Sequence, residues 1–427
     1  MNQLVFLSLF LGLTAGMQPV HLAVNGNVAK VELRLDDRLA TTIDRAPWSA
    51  QIDFGDSPAP HRLIAVGLDA GGHEVARAEQ KINVSRAPAE AALVIQSDRV
   101  ALQWRSIDGQ QPKSVLVTVD GKTLALDQKH EAMLPALVRD VPHFVQATAV
   151  SATGDIVQAH AIYGGASGED NGALTAVPVS IERKAPSMKE MFDAKIIAVE
   201  KPPAEVILVR DPSEAEAIVR YGRMRGESGE APGAAVRGIS AIGVAAADDV
   251  SLGKDATIRF LWPFATSVEG AELFPSSRTF DKSRGGFRFL LTSVSAPPST
   301  SKMRFADAVS VAGLQALSKQ RRRAVVLIIG RSYRDESRLT PQQSREYLAS
   351  IGVPLFVWSL ADSASLPPEA AAWGDIAPIE TIAKLRDAVR ALGRALDAQR
   401  IVWIDGDFLP NEVRIKTPIV GVKMLAR

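Results

Sequence analysis

Apolar and polar residues alternate through most of the first 165 positions. VELRL (31–35) and VLVTV (115–119) put every second side chain on one face, as a half-buried strand requires. Turn residues punctuate these runs, at Asn25-Gly26, Gly71-Gly72 and Asp120-Gly121. The pattern also repeats. VELRLDDRLA (31–40) and APHRLIAVGLDAGGHEVARAEQKINV (59–84) return as VLVTVDGKTLA (115–125) and VPHFVQATAVSATGDIVQAHAIYG (141–164), with Pro60-His61 matching Pro142-His143. The offset of 82 to 84 residues is the length of one small β-sandwich, so two sandwiches are expected, at 18–86 and 87–165. Trp48 and Trp104 fall where core or edge-packing aromatics are expected.

The period changes after the Gly-rich, polar stretch GGASGEDNGALT (164–175), whose last ten residues, 166–175, read as a linker. Unbroken apolar runs come next: VILVRD (206–211), RFLWPF (259–264), GFRFLLTSVS (286–295), AVVLIIG (324–330), VPLFVWSL (353–360) and RIVWIDG (400–406). Helical spacing appears between them, in FADAVSVAGLQALSKQ (305–320), PQQSREYLASIG (341–352) and IETIAKLRDAVRALGRALDAQ (379–399). Strands without alternation are buried on both faces, so 176–427 reads as an α/β doubly wound domain with a mainly parallel sheet. The tail FLPNEVRIKTPIVGVKMLA (408–426) is expected to add an edge strand or hairpin.

Composition narrows the function classes. A length of 427 residues implies two to four domains, and 46% apolar with 23% charged residues is the make-up of a folded protein. A net charge of +1 leaves no basic field for a nucleic acid. With no cysteine there is no disulfide and no thiolate metal site. Leu4 to Leu13 is almost wholly apolar and is followed by Thr14-Ala15-Gly16, the layout of an export signal peptide over 1–16 that is too short to span a bilayer. Its amino end lacks Lys and Arg, and the same stretch reads alternatively as a buried first strand. Export to the periplasm, cell surface or exterior is the expectation, with no other segment apolar enough to cross a membrane.

Ligands of doubly wound sheets bind beyond the carboxyl ends of the strands. Three places qualify: Asp211-Pro-Ser213, Gly330 to Asp335, and Ser359 to Asp362. Asp211, Ser213 and Asp335 offer oxygens to a hard cation such as Mg²⁺ or Ca²⁺. Asp211 also has a structural reading. Asp at the N-cap, Pro212 at the first helical position and Glu214 two residues further on form a capping box. Asp335 lies on a polar loop and is expected to face solvent. All six histidines precede the linker, so the α/β domain cannot build a Ser-His-Asp or Cys-His nucleophile, and zinc is disfavoured there. No phosphate-binding glycine motif occurs, and Gly285-Gly286 is expected to start a strand. His61 and His143 recur at one place in each repeat, as packed sandwich histidines or as a pair of metal ligands. Arg321-Arg322-Arg323 is expected to end a helix in solvent, and Trp373, in a Pro-rich segment (366–378), to be an exposed contact aromatic.

The strand end ILVRDPS, the helix FADAVSVAGLQAL, the strand RRRAVVLIIG and VPLFVWSL with its long terminal helix resemble a von Willebrand factor type A domain of the kind found in exported bacterial proteins. The preceding repeats resemble Ig-like modules. The family resemblance implies a divalent-metal site built from Asp-x-Ser-x-Ser, a Thr in a later loop, and the Asp of a Thr-Asp-Gly. Asp211 and Ser213 match the first two positions; Ala215 replaces the third, only Thr300 and Ser301 lie near the later Thr, and Ile329 stands for the carboxylate. A degenerate site is therefore expected, with little or no metal dependence. The resulting expectation is a non-enzymatic interaction or adhesion protein that takes a protein partner at loops 211–215, 296–304 and 330–337. The alternatives are a remodelled cation site of Asp211, Ser213 and Asp335 gripping an acidic partner group, and a hydrolase using Asp211 and Asp335.

Overall fold

The structure is a computed structural model. It describes residues 3–8, 10, 12–84, 89–96, 99–106, 110–135, 143–150, 156–163, 174–181, 188, 191–214, 252, 255–268, 271–280, 287–317 and 321–426. The first sandwich stacks β1 (Gln3–Phe6), β2 (Met17–Asn25) and β5 (Ser49–Asp53) on a second sheet. That sheet comprises β3 (Lys30–Leu35), β4 (Arg38–Ile43), β6 (His61–Leu68) and β7 (Glu74–Ile82) in the order β4-β3-β6-β7. Its core is the inward set that alternation promised, among them Val31, Leu33, Leu63 and Ala65. Trp48 is partly buried at its edge.

The apolar stretch expected as a leader is folded into this sandwich. Leu4 and Phe6 are core residues of this sandwich, and β1 pairs antiparallel with β2 from Gln3↔Asn25 to Phe6↔Leu22. This is the buried-first-strand reading, and it moves the sandwich's start from residue 18 to residue 3.

The second sandwich has the same plan. The order β11-β10-β13-β14 uses β10 (Ser114–Val119), β11 (Lys122–Thr123), β13 (His143–Val150) and β14 (Ile156–Tyr163). It faces β12-β9-β8, built from β8 (Ala89–Gln96), β9 (Arg99–Ser106) and β12 (Glu131–Met133). Trp104 packs against its core and donates to Gln110 O at 2.8 Å.

The remainder differs from one continuous α/β domain. An antiparallel sheet, β16-β24-β15-β25, combines β15 (Leu174–Ile181) and β16 (Ile196–Glu200) with β24 (Gln399–Asp405) and β25 (Val422–Met424). RIVWIDG is therefore a strand of this sheet, and the tail contributes its edge at β25. The expected linker ends earlier than residue 175, because Leu174 and Thr175 already pair with Asp405 and Ile404.

Between β16 and β24 the chain builds the parallel sheet. Its order is β18-β17-β21-β22-β23, from β17 (Ala204–Arg210), β18 (Ala256–Leu261), β21 (Arg322–Ile329), β22 (Leu355–Ser359) and β23 (Ile376–Pro378). A small hairpin of β19 (Thr266–Val268) and β20 (Ala271–Leu273) precedes a stretch bridged antiparallel to β18 at Ile258↔Phe280 and Leu261↔Ser276. Every residue of β17 and β21 is buried, as central strands of a covered sheet must be.

Helices α1 (Phe287–Ser293), α2 (Phe305–Leu317), α3 (Pro341–Ser350) and α4 (Ile382–Ala398) cover it. The first corrects the expected strand over 286–295. Phe287, Leu290 and Leu291 are buried at i, i+3, i+4, which is one face of a helix rather than two of a strand. Helix α4 buries Leu385, Val389, Leu392 and Leu396 by the same spacing. Helices α2 and α3 pack so closely that a Cβ on Gly313 would lie 2.7 Å from Leu348 Cδ1.

The first sandwich braces this unit. The buried Tyr347 hydroxyl of α3 donates to Asn83 O at 3.0 Å, and Gln343 Nε2 donates to Asp56 O at 2.6 Å. Asn83 in turn clasps Thr14, accepting from its amide at 2.7 Å and donating to its carbonyl at 2.8 Å. Among the described residues no helix is long and apolar enough to cross a membrane.

Candidate functional site

The strand order places β18 on one side of β17 and β21 on the other. The crevice beyond the carboxyl ends of β17 and β21 is therefore the natural ligand position. Asp211 comes directly after β17 and is 1% exposed. Its amide donates to Ile328 O at 3.0 Å, extending the ladder onto β21. Its Oδ1 accepts from Ser213 N at 2.9 Å and Ser213 Oγ at 2.6 Å, closing the 3-10 turn Pro212–Glu214. The two residues expected to share a cation are thus brought together, and they are bonded to each other. Asp211 caps this turn through the amide of Ser213, and the sheet takes the Asp211 amide that Glu214 would have accepted in a capping box. Ala215 and the helix expected to start there lie outside the described residues.

Asp335 departs further from expectation. Its carboxylate turns inward onto the amino end of α2. Oδ1 accepts from Phe305 N at 2.9 Å, from Ser337 N at 3.1 Å and from Ser337 Oγ at 2.5 Å; Oδ2 accepts from Ala306 N at 3.2 Å. Helix amides need acceptors and the helix dipole favours an anion there, so the loop supplies one. Helix α2 reciprocates. Asp307 accepts from Arg338 N at 3.1 Å and Leu339 N at 3.0 Å, and pairs with Arg304 at 2.6 Å. Loop 335–339 and the first turn of α2 are locked together. Burial pushes the Asp335 carboxyl above the usual carboxylate range, against the pull of its Ser337, Phe305 and Ala306 donors. Thr300 and Ser301 are exposed. Ile328 and Ile329 are fully buried in the core. Among the described residues no three His, Asp or Glu side chains are grouped to hold a cation.

Several residues that sequence reading passed over shape this edge. Arg210 is buried beneath Asp211, stacked over Trp262 at 4.8 Å from the ring centre. It donates to Leu291 O at 2.6 Å and Val294 O at 2.7 Å, the open carbonyls at the end of α1. Burial lowers its pKa to about 10, and Asp211 opposes the drop. The signal was a charge at the end of the apolar run VILVR. Trp373 is buried rather than exposed; its Nε1 donates to the Tyr333 hydroxyl at 2.8 Å, which sits 3.4 Å from Asp335 Oδ2. Burial holds the Tyr333 phenol well above its ordinary value.

The arginine triplet also differs from expectation. Arg322 and Arg323 open β21 and are each 1% exposed. Arg322 donates to Leu396 O at 3.1 Å and pairs with Asp255, while Arg323 donates to Ile351 O at 3.3 Å. They serve the carboxyl ends of α4 and α3, not of the preceding helix. Burial brings Arg323 down to about 10.

His61 and His143 are packed hairpin histidines. Nδ1 of His61 lies 2.7 Å from Asp36 Oδ2, and Nδ1 of His143 lies 2.6 Å from Asp120 Oδ2. In both copies the aspartate adopts positive φ (50° each) and accepts the next amide, of Arg62 or Phe144, at 2.9 Å.

Beside the locked loop lies a recess of about 970 Å³, between residues 331–341 and the 3-10 turn Pro368–Trp373. Arg331, Arg334 and Glu369 stand exposed on its rim, with Tyr333 buried below. The arrangement offers hydrogen-bond donors and cations to a ligand. In its hydroxyl–carboxylate pair of Ser337 with Asp335, the carboxylate is shared with the amides of Phe305 and Ala306.

No family model and no curated protein matches the chain. Solved structures similar in part include the fibronectin(III)-like modules of Clostridium thermocellum CbhA (18% identity, 38% of this chain and 94% of that one, TM-score 0.16). A second is proximal thread matrix protein 1 of the mussel byssus, with a zinc-occupied MIDAS motif (10% identity, 48% of each chain, TM-score 0.25). A third is the ArnB paralog VWA2 from Sulfolobus acidocaldarius (10% identity, 64% of this chain and 53% of that one, TM-score 0.23). This chain spans about half the length of the last two. At identities and TM-scores this low, the chain's own geometry is the guide to its function.

Proposed function

We propose that this protein is a non-enzymatic interaction module that binds a protein partner at the carboxyl edge of its parallel sheet, around 211–214, 296–304 and 330–337, without a divalent cation. The observation that carries the proposal is the commitment of Asp335. A carboxylate already accepting from two helix amides and from Ser337 would have to surrender those bonds to ligate a metal. Asp211 is tied to Ser213 in the same way. The lack of histidine and cysteine beyond residue 163 supports the non-enzymatic part.

The absence of cysteine makes the test clean. Ser332→Cys, labelled with a maleimide polymer, masks the proposed surface, and Arg77→Cys carries the same label on the first sandwich. The expected result is a cross-linked partner that is captured in EDTA, lost when position 332 is masked and kept when position 77 is masked. A partner that needs added Mg²⁺ or Ca²⁺ refutes the metal-free reading. A partner indifferent to the mask at 332 refutes the surface.

A further inference from the structure

The recess beside β21 carries charges that the locked loop leaves over. Its two acids are not equivalent. Asp335 faces inward and is occupied by α2, so it presents little charge to the opening. Glu369 is the acid left on the rim. Against it stand Arg331 and Arg334, exposed on either side of the buried Tyr333, where that anchor fixes the loop between them. A third guanidinium, of Arg345, lies behind the rim and donates to Ala372 O at 3.3 Å. The opening therefore presents a surplus of planar, forked donors. Guanidinium forks match a carboxylate in two parallel hydrogen bonds, and they remain charged at any physiological pH.

We propose that this recess is the seat of an acidic peptide segment of the partner, with Arg331 and Arg334 gripping its carboxylate side chains directly. The inference rests on the interaction surface proposed above and names its ligand chemistry. The two arginines reach the carboxylates themselves, so recognition needs no metal. A recess of about 970 Å³ has room for more than a single side chain.

The test uses the full chain and a fluorescein-labelled nonapeptide of alternating glycine, aspartate and glutamate, followed by fluorescence anisotropy in EDTA. The expected result is saturable binding with a Kd below about 1 mM. It should weaken by about tenfold or more in Arg331→Gln/Arg334→Gln, weaken with added salt, and persist in the distant control Arg77→Gln. Circular dichroism of the double variant should match wild type, because both arginines are exposed. Three outcomes overturn the inference: no saturable binding, equal binding of the peptide with asparagine and glutamine in place of its acids, or unchanged affinity in the double variant. A phosphoserine peptide preferred by about tenfold or more also overturns it, by reassigning the recess to phosphate. Binding that appears only with Mg²⁺ or Ca²⁺ instead sinks the metal-free reading of the surface, so the two failures are distinguishable.

Discussion

Replacing Asp335 with alanine separates a helix cap from a metal ligand. The side chain accepts from the amides of Phe305 and Ala306, and both residues are fully buried. Losing an N-cap acceptor costs about 1 kcal/mol, and each buried amide left unmatched adds about 1–3 kcal/mol. Release of the Ser337 tether adds to this. Burial of the carboxylate works the other way, holding its pKa above the usual range, and water reaching this half-buried site offsets part of the lost acceptor, so the expected net loss is about 1–3 kcal/mol. For a unit of this size that is a fall in Tm of roughly 3–9 °C. Asp335→Asn keeps one acceptor oxygen and should lose about half as much. Tryptophan fluorescence tracks the melt in EDTA, and hydrogen exchange at residues 305–308 localises it. A metal ligand has the opposite signature, since its removal leaves the metal-free protein unchanged or firmer. The reasoning fails if Asp335→Ala melts within about 1 °C of wild type in EDTA with exchange at 305 and 306 unaltered.

Asp211→Ala should cost about 1 kcal/mol, and calorimetry with Mg²⁺, Ca²⁺ and Mn²⁺ should be flat for both proteins; saturable heat lost in the variant would refute the capping role. Gly313→Ala should destabilise by about 1–3 kcal/mol in urea despite alanine's better helix propensity, because its Cβ would meet Leu348 at 2.7 Å; an equal or higher midpoint contradicts this. Phe6→Ala should cost the first sandwich about 2–4 kcal/mol, whereas unchanged melting, with mass spectrometry showing residues 1–16 removed, would establish a leader instead. The Asp36 and Asp120 carboxyls are each raised by burial but lowered more by His61 or His143 and the following amide, and both end below their ordinary value of 3.8. A depressed acid stabilises above its unfolded value, so sandwich stability should fall as pH drops past about 3.8 and through the lower folded values. Asp36→Asn and Asp120→Asn should flatten that acid limb, and an unchanged limb speaks against it.

The sandwiches were legible because their signal is local. Alternation at VELRL and VLVTV, and the repeated hairpins ending at His61 and His143, each depend on neighbours within one strand pair. The strands β17 and β21 were legible for a related reason, each carrying an unbroken apolar run, VILV (206–209) and AVVLII (324–329). What could not be read was which sheet an apolar run joins. RIVWIDG and AVVLIIG look alike, yet one pairs antiparallel with β15 and the other parallel with β17. Nothing within seven residues records a partner more than 200 positions away. Likewise Asp335 and Arg322 are charged residues whose burial is set by distant backbone: the amides of 305 and 306, and the carbonyl of Leu396. At the candidate site the order of motifs was readable. The hydrogen bonds that fill it were not, because they link segments 30 residues apart.

The parallel sheet and its helices begin and end on two strands that lie side by side, with Glu200 opposite Ile401. To the antiparallel sheet, the intervening chain is one long turn. Loop closure grows costlier only slowly with length, but the contacts that reward it come only when the ends meet. The antiparallel sheet is complete only when β24 lies between β15 and β16, joining Leu174 to Asp405 across that insertion. A nascent chain that has emerged only as far as α4 carries β15 and β16 without their shared neighbour. Until β24 is made, each of those strands presents an open edge to pairing with another chain.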